Sequence, residues 1–435
     1  MNSLKSIKAL GRNAFLFISG QTISRIGDMA QLTGLSMYVY KASNNIFAVS
    51  LLYAVEALSM IIFGQIGGLF ADKMERKRAL VILQISQALL IALIPFSGRG
   101  VLLYLVFFVF TACTSISRIF QSAMSGDVVD SAHYEEFQGL YSSLQSFGVI
   151  IGPVIGAWIF AVYGTTALFA FNALSFVVCA ISILLISGRE KVVVVKNIIA
   201  GTDVQSQCGL NVESGGKKKG NSFTEWTEGY RIILSNPNLS AIVFSMPIIM
   251  LGVGVLNSIF IGISSDLWRF SDRQFGWMMA ASGIGGIFGG LVYGHIHAKF
   301  SSKFFFYFGI LAKSFCLLLS AFVTNFSMVF LLFIVNSIGF SFIGSTAQVF
   351  FLKTTSRQER GRVSGIAGSL ACISMLCGSS ISGFLVAYGG YRISIAGIII
   401  FHLLCALSFW LIGDKHVLQR SGYATDKNGK QPVEA

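Results

Sequence analysis

Charge is what this chain has least of. Only 12% of its 435 residues are Asp, Glu, Lys or Arg, about half the roughly 25% of a typical soluble domain. With 54% apolar residues and a mean hydropathy of +0.72, too few charges remain to coat a surface that faces water. A soluble enzyme and a disordered protein are both excluded. Proline is scarce, 5 residues against 46 glycines, which excludes collagen-like and proline-rich classes and points to close helix packing in lipid. No CxxC and no His/Cys cluster with zinc spacing occurs. Cys113, Cys179, Cys316, Cys372, Cys377 and Cys405 sit inside apolar runs and Cys208 in a polar stretch, so they read as small buried hydrophobes. No metal or other cofactor is expected. What remains is an integral membrane protein.

A spanning helix needs about 20 mostly apolar residues. Such runs fall near 14–40, 46–71, 79–97, 101–124, 139–162 and 165–187, then near 239–263, 274–297, 304–323, 327–352, 363–388 and 393–413. The expected fold is all-α, twelve transmembrane helices in two bundles of six. The domains are then 1–188 (first bundle), 189–238 (linker), 239–414 (second bundle) and 415–435 (tail).

Basic residues set the orientation. With the N-terminus inside, 24 of the 32 Lys and Arg fall in inside segments and 5 outside (Lys41, Arg99, Arg269, Arg273 and Arg392), while Arg25, Arg118 and Lys313 lie within spans. Both termini are therefore expected in the cytoplasm, and the membrane is expected to be a bacterial inner membrane. The net charge of +13 comes from these short loops and not from one basic helix face, so nucleic acid is not an expected partner. Lys5, Lys8 and Arg12 look like the start of a signal peptide, but Arg25 and Asp28 interrupt the apolar run after them, and the first helix is expected to be retained.

The linker changes character midway. Residues 206–220 are polar and Gly-rich, with Lys217, Lys218 and Lys219 in a row, and read as flexible chain. The triplet is either a solvated loop or a contact for anionic lipid headgroups. From Ser222 a capping-box pattern opens an amphipathic helix over about 222–235, with Phe223, Trp226, Tyr230 and Ile233 on one stripe and Asn236-Pro237 as the stop. This helix is expected to lie flat on the membrane, its stripe in the headgroup region, tethering the second half.

The strongest local signal is Gly67-Gly68-Leu69-Phe70-Ala71-Asp72-Lys73-Met74-Glu75-Arg76-Lys77-Arg78, between the second and third spans. Asp72 puts a carboxylate at the membrane edge, where a helix N-terminus or an Arg can pair with it in one conformation and lose it in another. Here the chain resembles the major facilitator superfamily, whose loop at this place follows Gly-x-x-x-Asp-(Arg/Lys)-x-Gly-Arg-(Arg/Lys). Gly68, Asp72, Lys73, Arg76 and Lys77 fit it, and Glu75 stands where Gly is usual. In that family the motif is a cytoplasmic latch favouring the outward-facing state. The second-half copy, Gly290 to Lys299, has Gly294 in place of the Asp, so a one-sided latch is implied.

Gly148, Gly152, Pro153, Gly156 and Ala157 in the fifth span are similar to the family's Gly-x-x-x-Gly-Pro-x-x-Gly-(Gly/Ala) motif, associated with antiporters and exporters. Glycines four apart make a smooth groove for another helix, and Pro removes a backbone bond. The resemblance to an Arg seen in the outer half of helix four of proton antiporters fails. That position falls near Phe110, and Arg118 lies about two turns nearer the cytoplasm. Arg25-Ile26-Gly27-Asp28, Gly139 to Ser146, Phe171 to Phe176 and Gly361 to Gly365 resemble the branch of macrolide-efflux proteins and enterobactin-type siderophore exporters.

Ionisable residues at bilayer depth are costly and are functional candidates by default. Of 19 acids, Asp28 and Glu56 fall near the middles of their spans. Arg25 lies one turn before Asp28, so an intrahelical ion pair is expected, and Asp28 is either its permanent structural partner or a working carboxylate. Glu56 has no basic neighbour at helical spacing, which makes it a proton carrier, a counter-charge for a cationic substrate, or a packed structural group. Lys313 and His402 also lie near mid-membrane. Helix nine faces lipid in this fold, so Lys313 has a local pair or a snorkelling position as its plain reading. Asn257, Gln145, Asn172, Asn336 and Gln348 are cavity hydrogen-bonders or interhelical glue.

No ATP-binding GxxxxGK[ST] loop occurs. The expectation is a monomeric secondary transporter, not an enzyme, that exports a small amphipathic molecule in exchange for protons. Its site residues would be Asp28, Glu56, Arg25, Arg118, Lys313 and His402. A drug exporter would hold a cation on Glu56 or Asp28. An exporter of siderophores or other anionic metabolites would use Arg25, Arg118 or Lys313.

Overall fold

The structure, a computed structural model, describes residues 10–71, 74–98, 100–129, 133–187, 222–297, 299–355 and 359–420. The first half contains α1 (Gly11–Ser43), α2 (Ile46–Ala71), α3 (Arg76–Leu93) and α4 (Val101–Ser125). The run Tyr134–Leu184 then breaks at Gly164, where φ is +79°, into α5 (134–163) and α6 (165–184). After α7 (Ser222–Ser235) come α8 (Pro237–Gly262), α9 (Asp272–Ile296), α10 (Ser302–Ser320) and α11 (Phe326–Thr354). Arg360–Arg420 breaks at Gly390, φ +69°, into α12 (360–389) and α13 (391–420). A left-handed φ is open to Gly without a Cβ penalty. The two halves therefore turn between their fifth and sixth helices by the same device.

The architecture is all-α, with α1–α6 and α8–α13 as two six-helix bundles. Among the described residues, nine stretches are long and apolar enough to cross a membrane, and the two broken runs each hold two helices. Although 33 residues long, α1 is not among them, because Gln21, Arg25, Asp28 and Gln31 dilute its apolar character.

Outward faces explain the composition. Ile82, Ile85, Leu89 and Leu93 on α3 are exposed one turn apart, as are Leu174, Val177, Ile181 and Leu184 on α6. The stripe Phe304, Phe308, Leu311, Phe315, Leu318 and Phe322 repeats this along and just past α10, and Ile400, Leu403, Leu407 and Trp410 do so on α13. Stripes of this length are unsustainable in water and natural against lipid tails.

Close approach holds α1 in its bundle. Gly20, Gly27 and Gly34 recur every seven residues and so share a face. A Cβ at Gly27 would meet Asn172 and Ser175, one at Gly20 would meet Ser182, and one at Gly34 would meet Leu168, all on α6. Asn172, at that crossing, also hydrogen-bonds Gln31.

The linker helix is anchored to the second half. Ile233 is 0% exposed and packs with Leu239 and Val243 of α8 and Val363 and Ile366 of α12. That part of the stripe is covered by protein and not by lipid headgroups, because Gly229 lets α7 press against Ile366. Arg362 pairs with Glu228 at 2.6 Å, with both side chains well exposed. Exposed pairs contribute about 0–1 kcal/mol, so Glu228→Gln is expected to leave the thermal unfolding temperature within about a degree of the parent. A much larger drop would show that this pair and not Ile233 anchors the linker helix.

Candidate functional site

Four charges meet in the first half. Arg25 and Asp28 come from α1, Glu56 from α2 and Arg118 from α4, all close enough to feel one another's charge. Asp28, Glu56 and Arg118 line one cleft that opens to solvent, with Met29, Met60, Phe107, Phe110, Thr111, Thr114 and Ser115 on its walls. Arg118 is exposed there, eight residues from Phe110 on the same helix, which is about 12 Å along its axis.

Among the described residues, no ion pair within 4.0 Å joins any two of these four groups. The expected Arg25–Asp28 contact is therefore not made. The Arg25 stem lies along α5, where a Cβ at Gly148 would come 2.9 Å from its Cγ, and the guanidinium reaches the neighbourhood of Tyr141. Asp28 Oδ1 is buried without a hydrogen-bond partner.

The glycines of α5 set this geometry. A Cβ at Gly152 would stand 2.8 Å from the Ile26 carbonyl oxygen, and one at Gly156 would stand 2.3 Å from that of Ala30. Backbone thus packs on backbone beside Asp28. The other face of α5 meets the second half. Gly276 of α9 abuts Ala157 and the Pro153 carbonyl, and Gly283 abuts Ile150. Further along, a Cβ at Gly286, Gly294 or Gly139 would meet nothing within 4 Å.

Lys313 and His402 form a separate cluster inside the second half. Lys313 is 4% exposed and His402 0%. The Lys313 ammonium donates to Asn336 Oδ1 at 3.4 Å and lies over the Phe340 ring at 5.2 Å, while Asn336 Nδ2 donates to the Lys313 carbonyl at 3.0 Å. His402 Nδ1 faces Ser314 Oγ at 3.3 Å, and its Nε2 has no partner. Lys313 sits on the protein-facing side of α10, opposite the lipid stripe, so it pairs locally and does not snorkel. The six candidates therefore divide into three that line the cleft (Asp28, Glu56 and Arg118), Arg25 beside them along α5, and a core pair in the second half.

Of the loop motif, Asp72 and Lys73 lie outside the described residues, and Gly68 is in the last turn of α2. Arg76 binds Asp127 at 2.7 Å and the Ala123 carbonyl at 3.3 Å. Lys77 Nζ donates to the carbonyls of Leu184 and Ile186 at 3.0 and 2.8 Å. A cation there satisfies the orphan carbonyls at the end of α6 and opposes its negative dipole end. These two bases tie α3 to the ends of α4 and α6.

At the opposite end of the helices a polar clasp joins the halves. Tyr40 and Tyr391 both donate to Asp266 Oδ2, at 2.5 and 2.7 Å, and the two hydroxyls are 3.2 Å apart. Lys41 pairs with Asp272 at 2.5 Å, and Ser50 and Ser382 share a 2.6 Å hydrogen bond. The π-helical turn Ile263–Leu267 after α8 carries Asp266. An acid in a short loop between spans carries no mark of such a contact, and Tyr40 is 226 positions away. No group of three metal-ligating side chains occurs among the described residues.

The comparisons with known proteins agree with this architecture. Residues 17–265 and 239–433 match the Major Facilitator Superfamily. The uncharacterized MFS-type transporter YfiS of Bacillus subtilis is 20% identical over 424 residues, covering 95% of each chain. The solved nucleoside transporter NupG shares the fold with a TM-score of 0.73 at 12% identity, covering 92% of this chain and all of that one. A bacterial homologue of the iron transporter ferroportin, in an inward-facing state, gives 0.69 at 12% identity, covering 92% of this chain and 98% of that one. The two-bundle fold and the lipid-facing stripes are thus those of a transport protein and not of an enzyme, and the chain belongs to the Major Facilitator Superfamily.

Proposed function

We propose that this transporter exports a small amphipathic molecule across a bacterial inner membrane by alternating access, with protons as the driving ion. The observation that carries the reading is the cleft in which Asp28, Glu56 and Arg118 stand together with no ion pair within 4.0 Å among them. A lone carboxylate at this depth is costly unless it is protonated or beside a cation. A proton and a cationic group on the substrate therefore compete for Glu56, and that competition is an antiport mechanism. The likeness of Gly148, Gly152, Pro153 and Gly156 to the exporter motif supports outward transport, and it is these glycines that seat α1 and its Asp28.

With both termini in the cytoplasm, the Tyr40–Asp266–Tyr391 clasp closes the periplasmic end. Gly68, Asp72, Lys73, Arg76 and Lys77 would then form the cytoplasmic gate, made when the clasp opens. Glu56→Gln in proteoliposomes tests the coupling. With a macrolide such as erythromycin as substrate, the variant is expected to lose at least tenfold in pH-gradient-driven flux while keeping solute-gradient exchange. Undiminished gradient-driven flux would remove Glu56 from the coupling role. A siderophore or other anionic metabolite is the second reading, favoured by the exposure of Arg118 to the cleft. Accumulation of such a metabolite in a knockout strain, with unchanged drug sensitivity, would select it.

A further inference from the structure

We infer that the molecule held in the cleft is a zwitterion, with one cationic group, one anionic group and an apolar body between them. This rests on the reading of the cleft as the substrate site. Both signs of charge line the same space: Asp28 from α1, Glu56 from α2 and Arg118 from α4. A site for a simple cation has no use for an exposed guanidinium, and a site for a simple anion has no use for two carboxylates.

Charge balance sharpens the point. With both carboxylates ionised, as when the proton has left Glu56, Arg25, Asp28, Glu56 and Arg118 together carry no net charge, and the other bases at this depth, Lys313 and His402, are enclosed in the second half with Asn336 and Ser314. A ligand with a net charge would leave one unit uncompensated in a low-dielectric site, which is costly. A zwitterion leaves the balance intact. Its ammonium fits between the two carboxylates, where Asp28 Oδ1 is buried with no partner. Its carboxylate fits the planar fork of Arg118, which binds such groups through two parallel hydrogen bonds. Met29, Met60 and Phe110 supply an apolar wall for the middle of the molecule, and flexible Met side chains adapt to varied shapes.

The test uses the purified full-length protein in detergent and two scaffolds, norfloxacin and the dipeptide Phe-Phe. Each is offered as the zwitterion, as the cationic methyl ester and as the anionic N-acetyl form, and binding is read from ligand-induced thermal stabilisation. For at least one scaffold the zwitterion is expected to bind at least tenfold tighter than either partner form. Arg118→Gln is expected to abolish the preference over the ester, and Glu56→Gln the preference over the N-acetyl form. Should Arg118→Gln not fold, Arg118→Lys replaces it and is expected to reduce the preference over the ester at least threefold. Equal binding of all three forms, a preference untouched by the variants, or no zwitterion binding in either scaffold would overturn the inference. Binding in detergent reads neither direction nor ion coupling. A preserved zwitterion preference alongside proton-independent flux would therefore support this inference while removing the antiport mechanism.

Discussion

Oxidising a Ser50→Cys/Ser382→Cys variant is expected to stop transport, and a reductant is expected to restore it. The two hydroxyls are 2.6 Å apart across the junction of α2 and α12, which brings the two side chains within reach of each other for a disulfide. A covalent link there holds the halves together at the clasp end, beside the Tyr40–Asp266–Tyr391 cluster. Alternating access needs that end to part once in every cycle. Flux in proteoliposomes should fall at least tenfold on oxidation and recover with dithiothreitol. Cys377 is exposed and is replaced by Ala in the background, so that it does not compete for the bond. Full flux with the crosslink formed would mean that the halves do not separate at Ser50 and Ser382.

The second large effect belongs to Gly156→Ala. Its new methyl group would stand 2.3 Å from the Ala30 carbonyl oxygen and 2.5 Å from the Ala30 Cα. Those atoms are backbone and have no rotamer to change, so α1 and α5 must move apart. Overpacking of this kind costs about 1–3 kcal/mol, and the displaced helix carries Asp28 away from Glu56 and Arg118. The expected result is a transition temperature lowered by several degrees and transport near background. Gly397→Ala is the comparison. There a Cβ meets nothing within 4 Å, and the better helix propensity of Ala leaves stability level or slightly raised. Equal behaviour of the two variants would show that the α1–α5 contact is not limiting.

The helices themselves are legible along the chain. An apolar run of about 20 residues has few alternatives once water is excluded as its surroundings, and each expected span coincides with a helix to within a few residues. Glu56 and Asp28 stand out for the same reason, as charges where lipid depth makes charge costly. Their grouping with Arg118 does not stand out. It depends on three different helices turning the right faces inward, and helical spacing within one segment says nothing about rotation against another. Arg25 shows the limit clearly. Its one-turn spacing to Asp28 predicts a contact, but the groove opened by Gly148 draws the side chain along α5. Lys313 is a second example, since a lysine in an outer helix reads the same whether it faces lipid or Asn336.

Composition and the distribution of charge by themselves determined a membrane protein of twelve helices in two halves, because partition between water and lipid acts on each segment independently. Which charges share the cleft, which lie sealed in the second half, and that Tyr40, Asp266 and Tyr391 bind the halves together were decided only by the tertiary structure. Those contacts join different helices, in the clasp 125 to 351 positions apart, and they come into being only when glycine-lined helices pack to backbone distance.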